Sequence, residues 1–275
     1  MSVRRKTALL LGVCAVLLSC ASYSSRQSTA EELTQILAGN QRTEAERARD
    51  PYRHPKQTLL FFGVRPEMTV LEVWPEPGWY TEILAPLLRE KGKYIAAVHA
   101  PDPHSAYVTK SLASYREKLA ARPDLYDRVE VVPLPTDGGE VVPAGTVDMV
   151  LTFRNLHNWM GHDEAARVFA TLYQALKPGG TLGIVEHRGN PALPQDPQAK
   201  SGYVNEDYAV RLIEAQGFRL VAKSEVNANP RDTKDYPQGV WTLPPTYELG
   251  DKERAKYAAI GESDRFTMRF VKPAR

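Results

Sequence analysis

The sequence predicts an α/β fold with a parallel sheet covered by helices on both faces, and three observations point to it. Short, wholly apolar strand patterns alternate with amphipathic helix patterns from residue 69 onward. The strand runs lack the in-out alternation of a half-exposed sheet, as expected when both faces are covered. The first strand, Val70 to Val73, meets a tight loop and a helix, the arrangement with which nucleotide-type cofactor sites begin. In that loop Trp74, Pro75, Glu76 and Pro77 precede a single Gly78, where such a site usually has several glycines.

The chain opens with Arg4, Arg5 and Lys6 ahead of an apolar run from Ala8 to Leu18, the pattern of a secretory signal and too short to span a bilayer. Leu17-Leu18-Ser19-Cys20 reads as a lipoprotein signal with Cys20 as the lipid-bearing residue; Ser19-Cys20-Ala21 also suits ordinary cleavage before Ser22. The expected location is therefore the periplasm, with membrane attachment by the lipid anchor alone. The two cysteines, Cys14 and Cys20, lie in the leader, so the mature chain has no internal disulfide. Without the three leader cations, 35 Lys and Arg become 32 against 33 Asp and Glu, a net charge of about −1. With no basic run elsewhere, nucleic acid is not an expected partner, whereas a small-molecule substrate is.

Residues 1–20 form the signal, 21–50 a tether and N-terminal helix, and 51–275 the main domain. Ser22 to Thr29 is small and polar and reads as the tether, and Ala30 to Arg49 as a helix docking by Leu33, Ile36 and Leu37. Pro51 and Pro55 end it, and Lys56 to Gly63 is a short helix stopped by glycine. After strand 70–73 come a helix at 80–90, a strand at 94–98, a helix at 105–121 and a strand at 129–132. Strand 147–153 leads through a polar loop to helix 163–176; Lys177-Pro178-Gly179-Gly180 turns the chain into strand 181–186. Helix 205–216 precedes strand 218–226. Asn227 to Arg265 is long, Pro-rich and little periodic, and Trp241, Leu243, Tyr247 and Tyr257 should hold it as an ordered cap. Phe266 to Val271 alternates like an edge strand.

Seven strands, the VLEV strand and the LKPGG turn resemble the class I S-adenosylmethionine-dependent methyltransferases. The resemblance covers Leu59 to Pro273 and implies a Rossmann-like seven-stranded sheet with the last strand antiparallel. More narrowly, RHPKQTLLFFGVRP, WYTEILAPLL, LTFRNLHNW, LKPGGTLGIVEHR, SEVNANPRDTKDYP, GVWTLPP and IGESDRFTMRFVKP resemble a family of predicted, mostly exported bacterial methyltransferases. That likeness implies S-adenosylmethionine as cofactor and an unspecified small acceptor. It places Glu72 and the loop from Trp74 to Gly78 beside the cofactor's methionine part, with Trp74 and Gly78 as binding residues. His99, with Asp102 three positions later, stands where relatives end the second strand in a ribose-binding acid, and it can hydrogen-bond a hydroxyl. Trp79, Trp159 or Tyr80 would shield the sulfonium.

The residues themselves add a polar edge where strands end. Arg154-Asn155-Leu156-His157-Asn158-Trp159 follows the fourth strand, and Glu186-His187-Arg188 ends the fifth. Arg154, which suits a carboxylate, and Asn155 are assigned with Tyr80 to the cofactor, while Asn158 and Trp159 suit the acceptor. His157 with Glu186 forms the candidate acid/base pair, and His187 joins them as a catalytic candidate; Glu186 paired with Arg188 or Arg154 is the alternative. Asn227, Asn229 and Asp264 extend the substrate side from the cap. A metal held by His157, His162, His187 and Asp264 lacks any ligand-spacing motif, so no metal is expected. Two other functions fit the same residues: an exported lipoprotein that binds a small ligand without catalysis, and a hydrolase or lyase working through His157 and Glu186.

Overall fold

The computed structural model describes residues 28–274. The proposed signal, Cys20 and most of the tether lie outside the described residues. Residues 28–37 form helix α1, and the N-terminal arm continues as two single-turn helices, α2 (Glu44–Arg47) and α3 (Asp50–Arg53), then α4 (Pro55–Phe62). The sequence predicts one continuous helix through Arg49; instead Thr43 caps α2 in a reciprocal capping box with Glu46, which starts a new helix. His54 in the left-handed region (φ 40°) turns α3 into α4.

The remaining elements are β1 (Thr69–Val73), α5 (Thr81–Leu88), β2 (Lys93–His99), α6 (Ala106–Ala121), α7 (Pro123–Tyr126), β3 (Glu130–Leu134) and β4 (Val147–Phe153). They continue with α8 (Leu156–Gly161), α9 (Ala165–Ala175), β5 (Leu176–His187), α10 (Glu206–Glu214), β6 (Arg219–Ser224), α11 (Arg254–Ile260) and β7 (Arg265–Val271). A 3₁₀ turn, Gly239–Thr242, lies in the cap. One seven-stranded sheet has the order β3-β2-β1-β4-β5-β7-β6. The first five strands run parallel, and β7 is antiparallel to both β5 and β6.

Alternation in the buried strands divides the core. In β2, Ile95 and Ala97 face one layer with α8 to α10, while Tyr94, Ala96 and Val98 face the other with α4 to α6. Three expectations are corrected. Phe266 to Val271 is not an edge strand: β7 inserts between β5 and β6, and five of its seven residues are buried. The edge on this side of the sheet is β6, whose residues alternate between exposed and half-buried. The polar loop after β4 is largely helix, because Leu156, Trp159 and Met160 recur at helical spacing and bury against the core. Lys177 to Gly180 extends β5, with Gly179 at φ 79° and a register irregularity opposite Val147 and Met149.

Candidate functional site at the carboxyl edge of the sheet

Strand order reverses between β1 and β4, and the crevice beyond their carboxyl ends is where open α/β sheets hold ligands. A cavity of about 680 Å³ lies there. Its walls come from the ends of β1 (Glu72, Trp74), β4 (Phe153, Arg154) and β5 (His187), from the N-terminal arm, and from the cap through Trp241 and Pro244.

The loop after β1 is built by packing rather than by glycines. Trp74 takes φ 46° and stacks on His99, with ring centroids 4.0 Å apart and planes inclined by 12°. Glu76 Oε1 accepts from the His99 backbone N–H at 3.2 Å and lies 3.3 Å from His99 Nδ1. The other oxygen, Oε2, and the Trp74 Nε1–H are buried and have no partner among the described residues. Gly78 does not line the cavity: its φ is 97°, and an added Cβ would lie 3.0 Å from Lys118 Cδ and 3.2 Å from Tyr115. Its role is the close approach of the loop to α6.

Glu72 is 3% exposed and accepts from Tyr94 O–H at 2.6 Å. Burial pushes its carboxyl up to about 8, helped by Glu76 and opposed by the Tyr94 hydrogen bond and by Arg154. Tyr80 stacks on Phe153 at 3.6 Å, and burial pushes its phenol up to about 12. The guanidiniums of Arg42 and Arg53 lie over the Trp79 ring, 5.0 and 4.6 Å from its centroid.

On the opposite wall, Glu186 is fully buried at the end of β5. Its Oε1 lies 3.0 Å from His157 Nδ1 and accepts from the His187 backbone N–H at 2.8 Å; Oε2 accepts from His157 N–H at 3.3 Å. Neither Arg154 nor Arg188 pairs with it: Arg188 instead bridges Glu206 and Glu225, at 3.0 and 2.7 Å. His187 Nδ1 is hydrogen-bonded to Ser263 Oγ. Burial, then His157 and the arginines 265, 154 and 53, hold the His187 imidazole well below its ordinary value, so it is neutral.

Asn155 donates to Val73 O at 2.8 Å and to Thr152 Oγ1 at 3.2 Å, tying the ends of β1 and β4 together at the cavity wall. Asn158 is exposed and lines the cavity. Besides Gly78, four residues expected at the site lie elsewhere. Trp159 is fully buried behind Trp74. Asn227 donates to Thr58 and Thr267. Asn229 donates to the carbonyls of Ile260 and Glu262, and Asp264 accepts from the Asn229 N–H and pairs with Lys234 at 3.0 Å. These last two fix the segment that presents Glu262 and Ser263 to the cavity rather than entering it.

The sequence places Glu76 on the cofactor loop without giving it a role, and it gives no sign of Arg49 and Arg53, whose four-residue spacing looks like an ordinary helix surface. It placed Glu262 only in a charge-rich cap segment. As for a metal, ligand atoms of His157, Glu186 and His187 lie within 4.8 Å of one another. Each already has a hydrogen-bond partner, and the nearby arginines disfavour another cation. His162 is exposed and bonded to the Asn158 carbonyl, so the four-residue set does not assemble.

Sheet order, antiparallel β7 and the crevice define the fold of class I S-adenosylmethionine-dependent methyltransferases. No family model matches the sequence, and no curated protein does. Among solved structures, a SAM-dependent methyltransferase from Aquifex aeolicus matches with TM-score 0.56 and 19% identity, over 82% of this chain and 93% of that one. The [4+2]-cyclase SpnF matches with TM-score 0.60 and 15% identity, over 86% of each chain. At such identities the likeness establishes the fold, and the two names show that the fold does not fix the chemistry.

Proposed function

We propose that this protein is an S-adenosylmethionine-dependent methyltransferase acting on a small acceptor. The observation that carries the reading is the pair of buried polar atoms without partners, Glu76 Oε2 and Trp74 Nε1, on a loop that lines the switch-point cavity. A carboxylate oxygen and an indole N–H suit a ligand with hydroxyls to donate and a polar atom to accept, as a nucleoside has. Glu76 is bonded to the end of β2, so it delivers from the first loop the acid that His99 does not supply. Trp74, Glu76 and Glu72 would hold the cofactor, with His99, which does not line the cavity, backing Trp74 and Glu76; Tyr80, Trp79 and Phe153 would exclude water beside it.

When bound, the cofactor supplies a methyl group already activated as a sulfonium, which leaves the protein alignment and proton handling. Glu186 orients His157 by accepting from Nδ1–H; Nε2, which no described residue engages, then receives the proton of the acceptor's attacking hydroxyl or amine. Neutral His187 adds no charge against that transfer. Calorimetry with S-adenosylhomocysteine tests the reading. Heat of binding is expected for the protein and for His157→Ala, and its loss for Glu76→Ala. No heat with millimolar ligand would refute it and leave the His157–Glu186 pair to hydrolase or lyase chemistry.

We also propose that the protein is exported and anchored through Cys20, supported by the basic and apolar leader and by Leu17-Leu18-Ser19-Cys20. Labelling with a radioactive fatty acid, abolished by Cys20→Ser, is the expected result.

A further inference from the structure

The arginines of the cavity are out of balance. Glu262, 5% exposed, is paired with Arg49 at 2.6 Å, with Arg53 at 3.5 Å and with Arg265 at 2.7 Å. One carboxylate thus serves three guanidiniums, two of which, Arg53 and Arg265, are almost fully buried. Arg154 adds a fourth. Its side chain lines the cavity, and no described residue lies within ion-pair or hydrogen-bond reach of its guanidinium.

The other acids of the cavity do not restore the balance. Glu46 is bonded to Lys118, Glu72 is driven toward its neutral form by burial, and Glu76 is held at the end of β2 by the His99 backbone N–H. The mutual repulsion is visible in the groups themselves. Burial and then Arg265 push Arg154 down to about 10, and burial and then Arg154 push Arg53 down. Burial alone would raise Glu262, yet Arg265, Arg53 and Arg49 together hold it well below the carboxylate range.

A like-charge group taken out of bulk water is unfavourable unless something neutralises it. The backbone also bears a cost to present this group: Arg154 is held at φ 62°, in the left-handed region that a long side chain seldom takes, with its N–H donating to Val185 O at 2.7 Å. A strained residue that aims an unpaired guanidinium into a cavity is the arrangement of a ligand site. Guanidiniums are planar forks that match a carboxylate or phosphate in two places at once.

We propose that Arg154, Arg49 and Arg53 form an oxyanion seat, and that the methyl acceptor is a small molecule held there by a carboxylate or phosphate, with its nucleophile beside His157. The seat and the acceptor role rest on different supports: the first on the charge imbalance, the second on the methyl-transfer reading above. His157 and His187 line the same cavity as the three arginines, so an acceptor anchored at the seat lies within the proton-handling wall. The opposite wall, with Glu76 and Trp74, is left to the cofactor.

Inorganic phosphate is the probe. It should bind the protein in calorimetry both alone and with S-adenosylhomocysteine at saturation. Binding should weaken by about tenfold or more in Arg154→Gln. The half-exposed Arg49→Gln gives the same direction should Arg154→Gln fail to fold, and Arg219→Gln, exposed on β6, should bind phosphate as the parent does. Phosphate binding unchanged in Arg154→Gln and Arg49→Gln would overturn the seat. Competition between phosphate and S-adenosylhomocysteine would overturn the acceptor assignment, because the arginines would then serve the cofactor's own carboxylate. Phosphate binding through Arg154 with no heat from S-adenosylhomocysteine would sink methyl transfer and the acceptor role while keeping the seat, so the two readings fail separately.

Discussion

Replacing Glu72 by Gln should make the protein more stable at alkaline pH and should flatten part of its pH dependence. The carboxyl is buried at the end of β1, accepts one hydrogen bond from Tyr94, and titrates at about 8 against an ordinary 4.5 because burial penalises its charged form. A group whose folded value is raised lends stability that is fully present below about 4.5 and is lost as pH rises through about 8. At about 1.4 kcal/mol per unit, the full difference corresponds to roughly 5 kcal/mol, and water entry on ionisation should reduce it to about 2–4 kcal/mol. Gln keeps the shape and the acceptor for Tyr94 and cannot ionise. Glu82, which burial and Glu46 raise to about 7, titrates in the same window, so the diagnostic quantity is the difference between the two proteins rather than either curve. Urea unfolding followed by circular dichroism from pH 4 to 9 should show that difference opening steadily above pH 5 in favour of the variant. Parallel curves would refute the claim that Glu72 is held neutral by burial.

The remaining expectations concern the cavity and the loop behind it. The His187 ring resonances should not titrate between pH 5 and 8 in NMR spectra, because burial and the surrounding cations keep the ring neutral; a midpoint near 6.5 would contradict this. Glu186→Gln should lower methyl transfer by about 10²–10⁴-fold with binding of S-adenosylhomocysteine intact, since the amide no longer fixes the His157 tautomer as a carboxylate does. Gly78→Ala should cost about 1–2 kcal/mol in denaturant unfolding, from its positive φ and the contact with Tyr115 and Lys118, and should leave cofactor binding unchanged. Abolished binding without lost stability would return Gly78 to the site.

Much of the fold was legible because it is written locally. The apolar runs of β1, β2 and β4, the Gly63 stop after α4 and the LKPGG approach to β5 are signals carried by residues near one another in the chain. Strand order is different in kind. Whether Phe266 to Val271 lies at an edge depends on which strands pair with it across the sheet, and the alternation of its side chains does not distinguish β7 from β6. The helix over Leu156 to Gly161 is masked in the sequence because only Leu156, Trp159 and Met160 carry its apolar spacing, among a run of polar side chains typical of a loop.

The sequence by itself determined the sheet of alternating strands and helices and the polar residues at the strand ends, because burial on both faces demands apolar runs and strand ends are where polar residues are tolerated. Only the tertiary structure decided which of those residues meet. It set His157 against Glu186 and left Arg188 to Glu206; it turned Gly78 toward α6 and gave the partner-seeking atoms of that loop to Glu76 and Trp74. It also drew Arg49, Arg53, Arg154 and Arg265, from three distant parts of the chain, around the single carboxylate of Glu262. Coulomb energy depends on distance through space and on burial, and neither is encoded in separation along the chain.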